Sequence, residues 1–201
     1  MTHQVTRRSI LGGLVASGLW LSTAPMTFAL SVDASKTLVI KLVDDINAVI
    51  ATGKPERSMY KDFQRIFADY ADVPAIARYA LGSDARRASP AQIKAFTGAF
   101  ETYIARKYGS QFHQFIGGRI EVDSAETVKS FVEVKTTAFM RGEAPFEIKF
   151  LISDKSGKHR FFNMFIEGIN MLLTERSEIG SIIDANNGDL NKAIAQLKKL
   201  S

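Results

Sequence analysis

The chain has 201 residues, of which 46% are hydrophobic and 23% are charged, which is enough for one domain with a substantial core. Its 26 basic and 21 acidic residues leave a formal charge of only +5, so charge gives no case for nucleic-acid binding. The sequence contains no cysteine, which excludes both disulfides and a lipid-modified cysteine.

The first 29 residues have the pattern of an export signal. Arg7 and Arg8 precede an apolar stretch that runs from Ile10 to about Leu21. Small residues then stand at 27 and 29, the −3 and −1 positions that signal peptidase requires. The stretch is shorter than the roughly 20 apolar residues of a transmembrane helix. We therefore predict a cleaved signal, with an uncleaved N-terminal anchor as the alternative.

The two arginines also resemble the motif of twin-arginine signals, whose cargo crosses the membrane already folded. Ile10 stands where such signals usually have Phe, so the ordinary Sec route stays open. Cleavage would remove two basic residues and leave 24 against 21, a formal charge of +3 that would suit transient contact with an anionic membrane. We predict an export signal over 1–29 and a single domain over 30–201 that is soluble in the bacterial periplasm.

The first half of this domain has helical periodicity. Apolar residues recur at helical spacing over 34–52 and over 59–70, and Asp72 opens a short helix that ends at Leu81-Gly82. Ser89 and the Gln three residues later form a capping box, with proline at the first helical position. The sequence therefore predicts four helices before residue 117.

From Arg119 the apolar period changes to two, which predicts β-strands. The predicted strands cover 120–122, 128–138, 146–152 and 158–167, with a hairpin loop between the last two and two helices after them. Charged residues alternate with apolar ones, as in an antiparallel sheet with one solvated face. We predict an α+β domain with a four-stranded antiparallel sheet and helices packed on one face.

Catalytic motifs are missing from the sequence. It has no Gly-x-Ser-x-Gly elbow, no glycine-rich phosphate loop after a strand, and no pair of histidines at metal-binding spacing. The carboxylate pairs Asp44-Asp45 and Glu175/Glu178 have the spacing of solvated helix faces. We therefore predict that the chain is not an enzyme and needs no metal or other cofactor.

Phenylalanine is unusually abundant, with 14 residues against a single tryptophan. Several lie on two of the predicted helices and others on the two strands of the last hairpin. The last predicted strand, over 158–167, which we call the return strand, has apolar residues at both even and odd positions. This fits a central strand covered on both faces or a sheet with a cavity on one side. Taken alone, the pattern is typical of an ordinary core.

Two segments resemble the MlaC/toluene-tolerance family. One is residues 81–92, which begin Leu81-Gly82-Ser83-Asp84, and the other is residues 163–171 leading into Arg176-Ser177-Glu178. The resemblance extends over the whole chain after the signal. It implies a periplasmic carrier that encloses phospholipid acyl chains in an apolar cavity. It also implies transient partners, an outer-membrane lipoprotein complex and an inner-membrane ABC transporter complex, between which the carrier shuttles lipid and maintains outer-membrane lipid asymmetry.

Together, the resemblance and the abundant phenylalanine predict the lipid-binding residues. These are Phe63, Phe67, Phe96, Phe100, Val132, Val134, Ile148, Phe150, Phe162 and Met164. Basic clusters that could dock partners are Arg86-Arg87, Arg106-Lys107 and Arg141. The alternatives are a carrier of hopanoid-like lipids, a non-lipid periplasmic adaptor with a solid core, and a hydrolase.

Besides Asp84-Ala85, which stand in place of an aromatic pair, three positions depart from the pattern of the family. His159 stands where a tryptophan is common, Asn163 replaces an aspartate, and Asn170 replaces a serine. All three lie on or next to the predicted return strand. They bear on the rim of the cavity and on ligand preference more than on the fold.

Overall fold

The computed structural model describes residues 30–200, except for the side chains of residues 112 and 113. The predicted export signal over 1–29 lies outside the described residues. The helices are α1 (Val32–Ala51), α2 (Glu56–Tyr70), α3 (Val73–Ala80), α4 (Pro90–Gly109), α5 (Met171–Ala185) and α6 (Leu190–Leu200), with 3₁₀ turns at Gly82–Arg86 and Ser110–Phe115. The strands are β1 (Arg119–Val128), β2 (Phe131–Phe139), β3 (Phe146–Ser153), β4 (Arg160–Ile166) and β5 (Ile169–Asn170).

Two of the helices begin at the side-chain caps that the sequence indicates. Asp72 accepts a hydrogen bond from the backbone N–H of Ala75 at 3.2 Å, which satisfies a free donor at the start of α3. Ser89 and Gln92 form the reciprocal capping box of α4, with bonds of 3.2 and 3.0 Å. The predicted starts of these helices are confirmed.

The strands form one sheet in the order β1-β2-β3-β4-β5, and each pairs antiparallel with its neighbour in the chain. This confirms the predicted α+β class, with five strands in place of four. The additional strand, Ile169–Asn170, is too short for an alternating pattern to reveal it. It matters because it leads directly into α5.

The predicted strand over 128–138 is wrong at its beginning. Residues up to Val128 belong to β1, and the chain then reverses in a tight turn before β2 begins at Phe131. Lys129 occupies this turn with a φ of 56°, a conformation that hairpins usually assign to glycine or asparagine. The sequence lacks that signal here, so the turn could not be predicted.

The sheet buries one face and exposes the other. Along β2, Val132, Val134 and two further alternate residues are buried toward the helices. On the opposite face, Lys149 pairs with Glu133 at 3.6 Å on the neighbouring strand. Helix α1 packs against β1 and β2, and α5 packs against β4 and β5. No helix within residues 30–200 has both the length and the apolar character needed to cross a membrane.

A β-bulge explains why Phe161 and Met164, which have opposite parities in β4, lie on the same face of the sheet. Phe161 pairs with Ile152 and Met164 pairs with Phe150, so an extra residue stands between the two pairs. Because paired residues share a face, Phe161 and Met164 both point toward the helices. The extra residue is Phe162, whose ring also lies edge-on to another phenylalanine of the sheet.

Candidate functional site

An apolar cavity of about 140 Å³ lies between the sheet and the helices. Helices α1 to α5, the second 3₁₀ turn and strands β1, β3 and β4 all contribute to its wall. The lining residues are Leu42, Ile46, Phe63, Ile66, Phe67, Ile76, Ile104, Tyr108, Gln111, Phe115, Ile120, Ile148, Phe150, Phe161, Phe162, Asn163, Met164, Ile166, Met171, Leu172 and Glu175. Only four of these side chains carry polar atoms.

The volume limits what the cavity holds in this conformation. Engineered apolar cavities of about 150 Å³ bind benzene-sized molecules, so this one accommodates a single small apolar group. A phospholipid carries two long acyl chains, which need considerably more room. Enclosing both chains therefore requires the walls to move apart.

Aromatic rings from both layers form one side of the cavity. Phe63 and Phe67 stack along α2 with ring centroids 6.5 Å apart. Phe67 reaches across to Phe161 of β4 at 6.1 Å, and Phe161 contacts Phe150 of β3 at 5.7 Å. These contacts join a helix to the two central strands through apolar faces alone, so this wall is a surface that hydrocarbon can contact.

The structure brings six of the ten predicted lipid-binding residues to the cavity wall. These six are Phe63, Phe67, Ile148, Phe150, Phe162 and Met164. The other four are buried elsewhere in the core and at most 1% exposed: Phe96, Phe100, Val132 and Val134.

These four residues do not line the cavity because of where α4 and β2 lie in the fold. Helix α4 packs against α2 on one side and against α3 and α6 on the other, and Phe96 and Phe100 stack on each other at 5.6 Å outside the cavity. Strand β2 packs against α1, and its Val132 and Val134 are fully buried outside the cavity wall. An apolar stripe indicates that a side chain is buried but does not indicate which neighbour buries it.

A polar cluster stands beside the cavity where α4 faces α5. Lys107 donates to Glu175 at 2.8 Å and also to Glu178, and the hydroxyl groups of Tyr103 and Tyr108 donate to Glu178 and Glu175 respectively. We call these five residues the Lys107 cluster. Glu175 is only 3% exposed, so the prediction that Glu175 and Glu178 form a solvated face is wrong for Glu175.

Burial and hydrogen bonding act together on the ionisation of the cluster. Burial raises the pKa of both Tyr103 and Tyr108, and the neighbouring carboxylates raise it further. Burial alone would lower the pKa of Lys107, but its hydrogen bonds to the two carboxylates outweigh that effect and raise it. Burial likewise opposes ionisation of Glu178, yet the bonds from Lys107 and Tyr103 lower its pKa overall. At neutral pH Lys107 is therefore charged and lies between Glu175 and Glu178, and the two phenols stay neutral.

One atom of the cluster is left without a partner. Oε1 of Glu175 accepts from both Lys107 and Tyr108, whereas Oε2 is buried and accepts from no group among residues 30–200 whose side chains the structure describes. Glu175 is also the one acidic residue of the cavity wall. Buried carboxylate oxygens are ordinarily hydrogen-bonded, so this atom marks a place where a donor is missing.

Asn163 is a second polar residue of the wall, and it holds the start of α5. Its side-chain amide donates to Asn170 Oδ1 at 3.0 Å, and its own Oδ1 accepts from the backbone N–H of Leu172 at 3.1 Å. Asn170 is the N-cap and accepts from the backbone N–H of Leu173 at 3.1 Å. Two of the departures noted in the sequence are therefore partners.

The basic clusters proposed for docking differ in their surroundings. Arg86 and Arg141 are exposed, and Arg87 is paired with Asp84. Lys107 is bound within its cluster, with a side chain only 24% exposed. Lys107 therefore has a role inside the domain, which the charge pattern of the sequence could not indicate.

The chain is similar to known proteins over most of its length. A family model described as MlaC protein matches residues 40–199. The toluene tolerance protein ttg2D of Pseudomonas putida is 24% identical over 195 residues, which is 94% of this chain and 88% of that protein. A solved structure, the phospholipid-binding protein from Ralstonia solanacearum in complex with a phospholipid, has a TM-score of 0.68 at 18% identity. The match covers 81% of this chain and 98% of that one, and it shows that the two share a fold.

Proposed function

The chain belongs to the MlaC family, and on that premise we propose that it carries phospholipid, with acyl-chain carbon held in the cavity between the sheet and the helices. The family assignment also agrees with the prediction that the chain is not an enzyme. The observation that carries the proposal is the wall of the cavity, which is aromatic and aliphatic on nearly every side.

The energetic reason for such a wall is the cost of exposing hydrocarbon. Each methylene group that leaves water contributes about 0.8 kcal/mol, so a lipid cannot cross an aqueous gap unshielded at a useful rate. A carrier that offers an apolar surface of similar quality makes transfer from a bilayer nearly isoenergetic. The headgroup can then remain in water.

Loading must enlarge the cavity, because its present volume accommodates only a small apolar group. We infer that this occurs at the start of α5, where the half-buried Met171 and Leu172 line the cavity. Methionine side chains are flexible and adapt to irregular apolar partners, and Met164 and Met171 both belong to the wall. A displacement of this end of α5 would break the bonds from Asn163 and the short β4–β5 pairing, and would lengthen the cavity while β1 to β4 stay paired.

We further propose that the protein works in the periplasm. There it would exchange lipid with an outer-membrane lipoprotein complex and an inner-membrane ABC transporter complex, contact membranes only transiently, and maintain outer-membrane lipid asymmetry. The signal-like pattern over 1–29 and the family assignment support this placement. Exposed basic residues such as Arg86 and Arg141 are the candidates for contact with acidic partners.

The test is native mass spectrometry of the full chain, expressed with its own N-terminal segment in a Gram-negative host and purified from the periplasmic fraction without detergent. We expect a mass increment that tandem spectrometry identifies as phospholipid. A mass increment that matches a hopanoid-like lipid would change the identity of the ligand but would still support a lipid carrier. Protein that holds no lipid, and that takes up none from phospholipid vesicles, would overturn the proposal in favour of an adaptor.

A further inference from the structure

We propose that the cavity selects an apolar molecule that carries a hydroxyl group, and that this hydroxyl donates a hydrogen bond to Oε2 of Glu175. The inference rests on the proposed function, since it places the ligand in the same cavity. It adds a polar contact and therefore a preference among apolar ligands.

The first observation is the isolation of this oxygen. Glu175 is 3% exposed and lines the cavity, and its Oε2 has no partner among the described residues. Two donors, Lys107 and Tyr108, both bind the other oxygen. The carboxylate is thus held in place by one oxygen, while the other is buried beside the cavity and would meet a molecule there once the wall moves apart on loading.

The second observation is that no described side chain of the wall donates to this oxygen. The amide nitrogen of Asn163 donates to Asn170, and the hydroxyl of Tyr108 is already used. Gln111, the remaining polar residue of the wall, is exposed. The missing donor must therefore come from a ligand or from water.

The charge of the Lys107 cluster decides which polar group fits. Two carboxyl side chains face one ammonium group, so acidic groups outnumber basic ones in the cluster. An anionic group, such as a fatty-acid carboxylate, would be repelled at Oε2. A hydroxyl group is neutral, donates one hydrogen bond, and loses far less hydration than an ammonium group on entering an apolar cavity.

The experiment compares three probes of equal length on delipidated full-length protein by titration calorimetry. They are 1-octanol, its isomer 1-methoxyheptane, which has no donor, and octanoate. Because a hydrogen bond to a charged acceptor is among the stronger ones, we expect octanol to bind about tenfold tighter than the ether or better. Octanoate should bind most weakly of the three.

Two variants test whether Oε2 of Glu175 causes the preference for octanol over the ether. Glu175→Met has similar length but no acceptor, and octanol should then lose its advantage over the ether. Glu178→Gln is the matched control, because it removes charge from the same Lys107 but does not line the cavity, and it should keep the advantage. Circular dichroism checks that each variant folds. If Glu175→Met does not fold, the ratio of octanol affinity to ether affinity in the wild type decides the proposal.

The possible failures are distinguishable. Equal affinities for octanol and the ether in the wild type would overturn the hydroxyl preference while leaving the apolar carrier intact, with water as the partner of Oε2. An advantage that persists in Glu175→Met would also overturn it, since another group would then be the acceptor. If no probe binds and no phospholipid is taken up from vesicles, the proposed function itself fails.

Discussion

The side-chain amide of Asn163 donates a hydrogen bond to the side-chain oxygen of Asn170 over 3.0 Å. The resemblance to the family suggests an aspartate and a serine at these two positions. A carboxylate can only accept and a serine hydroxyl can donate, so the two departures reverse the direction of one hydrogen bond without removing it. In either form, the residue at 170 can still cap α5.

This reversal predicts a coupled pair of substitutions. Asn163→Asp alone removes the donor and sets two oxygens against each other, so it should lower the free energy of unfolding by about 1–2 kcal/mol. Asn170→Ser in the same chain restores a donor and should recover most of that loss. Urea denaturation of the wild type, both single variants and the double variant measures the coupling. Strictly additive effects would contradict the pairing.

A cavity-filling substitution on α5 tests whether lipid occupies the cavity. Leu172 and Ile182 are both half-buried residues of α5, but only Leu172 lines the cavity. Leu172→Trp should fill the cavity and lower the lipid content of purified protein several-fold. Ile182→Trp, the control for a larger side chain on the same helix, should leave it unchanged. Lipid phosphorus per mole of protein is the measurement, and equal losses in both variants would count against the cavity.

Gly82 lies just after α3 and next to Arg176 of α5. We predict that replacing it lowers the free energy of unfolding. It has a φ of 59°, and an added Cβ would stand 3.3 Å from Nε of Arg176. The guanidinium of Arg176 in turn lies over the ring of Tyr79, 5.1 Å from its centroid. Gly82→Ala should therefore lower the free energy of unfolding by about 1–2 kcal/mol from backbone strain, with some further loss from displacing Arg176.

The control for this substitution lies in α4. Gly98 is helical and exposed, and an added Cβ there has nothing within 4 Å. Gly98→Ala should raise the free energy of unfolding by about 0.5–1 kcal/mol because alanine is the better helix former. Thermal or urea denaturation of both variants should give opposite signs. A neutral or stabilising Gly82→Ala would show that this conformation is not required.

The tyrosines of the Lys107 cluster predict a loss of stability at high pH. Burial and the nearby carboxylates raise the pKa of Tyr103 and Tyr108 above the value of about 10 that an unfolded chain would show. A raised pKa contributes stability that is complete below pH 10, and this contribution decreases as the pH rises further. We expect the urea midpoint to fall above pH 10, and to fall less steeply in Tyr103→Phe and Tyr108→Phe. Phenolate absorbance that appears for all tyrosines together, before unfolding, would refute this.

Much of the fold could be predicted from local signals. The capping box at Ser89 and the alternation along β2 and β3 each depend on neighbouring residues, so the sequence reveals them directly. The turn at Lys129 and the bulge at Phe162 escaped prediction because no glycine or proline marks them. In both cases the pairing of strands, and not local preference, determines the backbone.

The site was predictable only in part, for a different reason. Periodicity showed that Phe67 and Phe100 are buried, but one lines the cavity and the other packs among helices. The burial of Glu175 could not be predicted from the sequence, because two carboxylates three residues apart on a helix are typical of a solvent-exposed face. Its burial depends on Lys107 reaching across from α4, which is 68 residues earlier in the chain.

The order of the strands has a consequence for how the chain folds. Every strand pairs with the one that immediately precedes or follows it, so the sheet can grow by successive short hairpins without closing a long loop. Such local pairing favours rapid folding. Because the sequence has no cysteine, this process needs neither an oxidant nor a disulfide isomerase. The domain can therefore reach its native state equally well in a reducing or an oxidising compartment.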